Sequence, residues 1–202
     1  TLDMVRAIGG PSEPGDYINE SGMRIRRERW TAWIVERPWQ DMPGLVEWIK
    51  GEIKRVEALT FDRAYAEDLH NRIREYQALF AEGDPTGRGD PTDIVLESGV
   101  GLTYIYHSTD IQTFSYLMSD YPDLVEEWLH ARNRAEFRRV AAIADPELIP
   151  IALTYDDIAY KNGTIFSPAW LRKHWVPRLK ALNDAWHNHD TYCLFHSDGN
   201  LY

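Results

Sequence analysis

Two short apolar runs with a helical stretch between them predict an α/β protein built on parallel strands. Ile149-Pro150-Ile151-Ala152-Leu153-Thr154-Tyr155 is apolar on both faces, as a strand inside a parallel sheet is, and its proline sits at the start, where a missing N–H is tolerated. Thr191 to His196 repeats that pattern and runs at once into the turn formers Ser197-Asp198-Gly199-Asn200. Between them Ser167 and Pro168 open a helix carrying Trp170, Leu171, Trp175, Leu179, Leu182 and Trp186, with Pro177 inside it predicting a kink. Strand, helix and parallel strand put ligand sites beyond the carboxyl ends of the strands. Asp156, Asp157, His196 and Asp198 therefore share one rim.

The other elements are expected as follows. The opening through Gly22 is rich in Gly, Pro and acids, lacks an apolar period, and reads as a connection. Met23–Ile25 and Trp30–Val35 read as a hairpin closed by a three-residue loop, Arg27-Glu28-Arg29, and ended by Pro38. Leu45, Val46, Ile49, Ile53 and Val56 recur at helical spacing behind Asp41, a cap. A second helix is predicted from about Asp62 to Ala81, with Leu69, Ile73, Tyr76 and Phe80 on one stripe and Gly83 closing it. Gly83 to Pro91 holds little but turn formers and reads as a loop. Asp93 to Leu96 follows as a buried strand, after which Gly99 and Gly101 let the backbone turn or approach a ligand. Two helices are expected beyond Ser108 or Thr109 and from Asp120-Pro122 to Ala144, where Asp145-Pro146 stops the second. No repeat interrupts this order, so one domain over residues 1–202 is expected, with 1–42 as its N-terminal loop and hairpin.

Composition narrows the partners. The chain of 202 residues is 44% apolar and 27% charged, enough to bury a core. A net charge of -10 repels a phosphate backbone, so nucleic acid is not expected, and Arg24, Arg26, Arg27 and Arg29 read as the wet face of a strand pair. The single cysteine, Cys193, forms no internal disulfide, no apolar run approaches the ~20 residues of a membrane helix, and a cytoplasmic address is expected. Most of the 8 tryptophans fall at helical spacings and belong to core packing, while His174, His187 and His189 read as solvated.

His196 and Asp198 lie two apart, so they share a face if the strand persists, and Cys193 takes the other. Imidazole and carboxylate together hold a divalent metal, or form a base with its orienting partner; a core histidine beside a turn aspartate is the bland alternative. Asp156-Asp157 reads either as an Asx turn or as a pair of acids contacting substrate, since adjacent carboxylates at a buried strand end need a donor or cation. Tyr160, and His107 after Tyr104 and Tyr106, are candidate walls of a cofactor pocket.

Tyr155-Asp156-Asp157-Ile158, Ser167-Pro168-Ala169-Trp170-Leu171, Pro177-Arg178-Leu179-Lys180 and Phe195-His196-Ser197-Asp198-Gly199-Asn200 resemble, in order and spacing, the uroporphyrinogen decarboxylase superfamily. Gly22 to Asp41, with Glu36-Arg37-Pro38-Trp39, is similar more loosely. The resemblance implies a (β/α)8 barrel of the TIM type with its site at the carboxyl mouth. Only about four core strands are legible of the eight that closure needs, so the barrel is expected to be incomplete, with strand edges that invite self-association into a homo-oligomer. One branch of the superfamily decarboxylates a tetrapyrrole without a cofactor. Another moves methyl groups between a corrinoid and a thiol with zinc on a His-x-Cys pair, and here His196-Ser197-Asp198 keeps the first ligand and puts a carboxylate for the second. The arginine-bearing N-terminal motif of the decarboxylase branch has no counterpart, which favours methyl transfer with zinc on His196 and Asp198, acting on a corrinoid or corrinoid protein. Tetrapyrrole decarboxylation and a non-catalytic tetrapyrrole- or corrinoid-binding module are the alternatives.

Overall fold

The structure, a computed structural model, describes residues 4–6, 13–82 and 93–201. Along the chain run the strands β1 (Met4–Arg6), β2 (Gly15–Ile18), β3 (Arg24–Arg27) and β4 (Ala32–Glu36), then helices α1 (Met42–Glu57) and α2 (Arg63–Glu82). Strand β5 (Asp93–Gly99) leads into helices α3 (Leu102–Thr109), α4 (Ile111–Asp120) and α5 (Pro122–Ile143). Strand β6 (Ile151–Tyr155) is followed by the two-residue strands β7 (Ala159–Tyr160) and β8 (Gly163–Thr164), by α6 (Pro168–Trp170), a π turn over Leu171–Trp175 and α7 (Val176–His187), and by β9 (Tyr192–His196).

The parallel pairing expected for the two apolar runs is present: β9 lies beside β6, with Tyr155 opposite His196, and β5 lies on the other side of β6. The barrel is not. The parallel sheet is four-stranded in the order β1-β5-β6-β9, the other sheets are a three-stranded antiparallel meander and the β7–β8 hairpin, and β1 and β9 do not meet. Closure into eight strands needs each edge paired, and here β9 pairs only with β6 and β1 only with β5 among the described residues. The (β/α)8 expectation is corrected to an open α/β sheet with helices packed on one face.

Alternation along the strands defines that face. Leu96, Ala152, Cys193 and Phe195 pack into the helical core, and Thr154 is buried beside them. On the opposite side Tyr192 and Leu194 are 75% and 46% exposed. Among the described residues β9 is thus an edge strand with one wet face, not the doubly buried strand expected over Thr191 to His196, because an apolar run reports hydrophobicity and not which neighbour covers it. Burial pushes the Cys193 thiol up to about 11, so thiolate is scarce at neutral pH. Native protein at pH 8 is expected to alkylate with iodoacetamide at least about tenfold more slowly than urea-unfolded protein; equal rates would refute the buried placement.

The core is helical in large part. Trp128 and Trp186 are wholly buried, and the Trp186 indole N–H donates to Ser98 Oγ on β5 at 2.9 Å. Trp30 and Trp33, at 69% and 59% exposed, are the tryptophans that do not pack. Asp41 caps α1 by accepting from Gly44 N–H at 2.8 Å, and Asp62 does the same for α2 through Tyr65 N–H at 2.9 Å. The Phe80 side chain and the turn-rich run from Gly83 to Pro91 lie outside what is described.

Four local expectations are revised. The opening contributes strands: β2 joins β3 and β4 in the meander, and β1 joins the parallel sheet. Glu28 N–H closes the β3–β4 turn onto Thr31 C=O at 2.8 Å, so its loop runs from Glu28 to Thr31, one residue longer than expected. Residues 102–109 are helical, which moves the expected cap at Ser108 or Thr109 to Asp110, whose carboxylate accepts from Thr113 N–H at 2.9 Å. Where a kink is expected at Pro177, a π turn over Leu171–Trp175 stands just before it.

The basic run behaves as expected. Arg24 and Arg26 reach Asp16 at 2.9 and 3.1 Å, holding that carboxyl below its usual range, while Arg27 lies over the Tyr17 ring. No helix among the described residues is long and apolar enough to cross a membrane.

Candidate functional site

The pairing of Tyr155 with His196 dictates the site. Side chains two apart on a strand share a face, so Asp157 follows Tyr155 and Asp198 follows His196, and the two acids meet beside the imidazole. Each of Asp157, His196 and Asp198 offers a ligand atom within 4.8 Å of the others. His196 Nε2 stands 3.4 Å from Asp198 Oδ1. The side chains of His196 and Asp198 are 46% and 79% exposed, so a ligand reaches them without any rearrangement of the core.

The two loops carrying these residues lock together. Asp157 Oδ1 accepts from Asp198 N–H at 3.0 Å, Ser197 Oγ accepts from Ile158 N–H at 3.1 Å, and Asn200 N–H donates to Tyr160 C=O at 2.8 Å. Gly199 completes the lock at φ +89°, where a Cβ would sit 2.5 Å from the Ala159 carbonyl carbon and 2.6 Å from Tyr160 N. A side chain has no room there. Asp157 is further held from α3: its N–H donates to Thr103 Oγ1 at 2.7 Å, and its carbonyl accepts from Tyr106 Oη at 2.8 Å. Burial pushes the Tyr106 phenol up to about 12, and the nearby carboxylates of Asp157, Asp156 and Asp198 add to it. Tyr106 is therefore a neutral donor at physiological pH.

The adjacent acids part company. Asp156 is 1% exposed and faces the helices, where it accepts from Thr103 N–H at 2.7 Å and from the Trp175 indole at 2.9 Å. It supplies the side-chain cap that Gly101 cannot give α3. Burial raises its pKa, opposed by those two hydrogen bonds. Of the four residues expected on one rim, three converge and Asp156 turns inward to hold the scaffold. Tyr160 is 53% exposed on β7 and meets the site through its backbone. His107 is exposed on α3, its ring against that of Tyr106, in a groove with Trp33, Arg37 and Asp110, and is not part of the cluster. His174 is not solvated as expected, since it pairs with Glu126 and stacks on Trp170.

Thr103 and Tyr106 escape a reading from sequence alone. The spacing of Leu102, Ile105, Tyr106 and Thr109 is the signal that reveals them, because it is helical and puts Thr103 at a helix start.

The donor set suits a divalent ion of the zinc class: one imidazole and two carboxylates. Ligands of a tetrahedral zinc stand about 3.4 Å apart at ~2.1 Å bonds, and His196 Nε2 and Asp198 Oδ1 have that spacing. No protein-family model matches the chain, and no curated protein matches it significantly.

Proposed function

We propose that Asp157, His196 and Asp198 bind a divalent metal ion, zinc foremost, and that the chain is an enzyme of the uroporphyrinogen decarboxylase superfamily acting in methyl transfer that involves a corrinoid. The observation that supports it most is the convergence of an imidazole and two carboxylates beyond the ends of β6 and β9, in the segment Thr154–Asn200 that carries the resemblance. The proposal rests on that segment and not on a closed barrel. A zinc ion there would supply Lewis acidity, lowering the pKa of a thiol so that thiolate is available near pH 7. The chain's own part is to hold two carboxylates and an imidazole in fixed register, with Asp157 anchored by Thr103 and Asp198 by Asp157. Asp157 takes a metal role that the sequence alone assigned to His196 and Asp198.

Zinc titration followed by dialysis tests this directly. Wild-type protein is expected to retain about one zinc per chain, and His196→Ala to lose affinity by at least about 100-fold, the upper end of what loss of an outer partner costs a metal site. Absence of retained zinc in the wild type would remove the metal reading. Carbon dioxide release from uroporphyrinogen would instead favour decarboxylation, with the carboxylates accepting pyrrole N–H groups. Cobalamin or porphyrin binding without turnover would identify a binding module.

A further inference from the structure

Arg132 stands apart from the other half-buried arginines. Arg55 has Glu52 at 2.8 Å, Arg139 has Glu136 at 2.6 Å and Arg178 has Glu126 at 2.6 Å. Arg132, on α5, has no close ion pair and no hydrogen bond among the described residues; its Nε is buried without a partner, and the carboxylates of Glu52 and Asp156 act on it only at longer range. Its guanidinium lies 3.8 Å from the centre of the Tyr104 ring, and Tyr104 is pinned by its hydroxyl, which donates to Glu52 at 3.2 Å. A guanidinium held against an aromatic face, with its Nε–H buried and unanswered, is short of hydrogen-bond acceptors.

Arg132 lines a cavity of about 220 Å³ beyond the carboxyl end of β5, bounded also by Gly99, Gly101, Thr103 and Tyr155. Glycine is required at its wall: Gly101 has φ +98°, and a Cβ there would lie 2.5 Å from Arg132 Nε. The chain thus keeps a side chain out so that the guanidinium can reach this position. Three acids, Glu97, Glu136 and Asp156, share the wall, and none of them is free. Glu136 pairs with Arg139 and accepts from Ser98 at 2.6 Å, and Asp156 accepts from Thr103 N–H and the Trp175 indole. The cavity is also the N-terminal mouth of α3, where the helix dipole favours negative charge.

We propose that this cavity is a binding subsite for a small oxyanion, a carboxylate or phosphate group, with Arg132 as the residue that pairs with it. Its volume admits a group of a few heavy atoms, either a free anion or the acidic end of a longer molecule. The subsite stands independently of the metal reading, since Arg132 belongs to neither the Asp157–His196–Asp198 cluster nor its hydrogen bonds.

Titrations of the full chain with sodium acetate and with inorganic phosphate, followed by tryptophan fluorescence at constant ionic strength, test it. One of the two is expected to give a saturable signal, and the other arm tells a carboxylate subsite from a phosphate one. Arg132→Gln is expected to weaken that binding at least about tenfold. Arg134→Gln, on the exposed side of the same helix, is expected to leave it unchanged, as is His196→Ala. Absence of a saturable signal with both anions, or equal binding by Arg132→Gln shown by circular dichroism to be folded, would overturn the proposal. Should Arg132→Gln fail to fold, Gly101→Ala, which obstructs the guanidinium by its Cβ, is expected to weaken the same signal, and unaltered binding there overturns it too.

Discussion

Replacing Gly199 by alanine is expected to destabilise the protein by about 3 kcal/mol or more and to abolish retained zinc. A non-glycine residue at φ +89° carries about 1–3 kcal/mol of backbone strain, and the added Cβ meets backbone, not a yielding side chain, at 2.5 Å. The loop can relieve that contact only by lifting away from β7, which breaks the Asn200–Tyr160 and Asp198–Asp157 hydrogen bonds and removes one proposed metal ligand from the other two. Urea denaturation of wild type and Gly199→Ala, with zinc retention measured on each, checks both halves. An unchanged midpoint together with unchanged zinc would refute the interlock.

Asp156→Ala should be as severe in stability and yet different in function. The substitution strands the Thr103 N–H and the Trp175 indole in the interior, two donors at about 1–3 kcal/mol each, for a loss of about 2–6 kcal/mol. Asp156→Asn keeps one acceptor and is expected to lose about half as much. Under conditions where both variants are folded they should retain zinc, while Asp157→Ala should not. Stability should also respond to pH with a definite sign. The folded-state pKa of Asp156 lies above the 3.8 of an unperturbed aspartate, so its stabilising contribution is complete below that pH and declines as pH rises through the folded value. Asp156→Asn should flatten that decline. A slope unchanged by this variant would place the titrating group elsewhere.

These two acids also show what a sequence can and cannot disclose. The parallel strand pair was legible because its residues are apolar in short runs between turn formers, and the site residues followed from where such strands end. Which of Asp156 and Asp157 faces solvent was not legible, since alternation sets them on opposite faces without saying which face the helices cover. That depends on Thr103 and Trp175, residues distant in sequence. The closed barrel failed for a related reason: a resemblance over the site segment speaks for two adjacent strands, whereas closure depends on how the edges β1 and β9 are paired. The helix over residues 102–109 was hidden by the glycines just before it and by its tyrosines, which read as turn and strand chemistry until the three- and four-residue spacing of Leu102, Ile105, Tyr106 and Thr109 is counted.

The opposite facing of two neighbours at the end of β6 has a consequence for how this chain tolerates change. Inserting one residue between Tyr155 and Asp156 would exchange the duties of the carboxylates, sending the proposed ligand inward against the Trp175 indole and the helix cap out into water. Both losses would arrive together from a single codon, although neither side chain had been altered. Drift in length is therefore barred here more strictly than drift in composition, and this short stretch acts as a ruler against which the rest of the rim is measured.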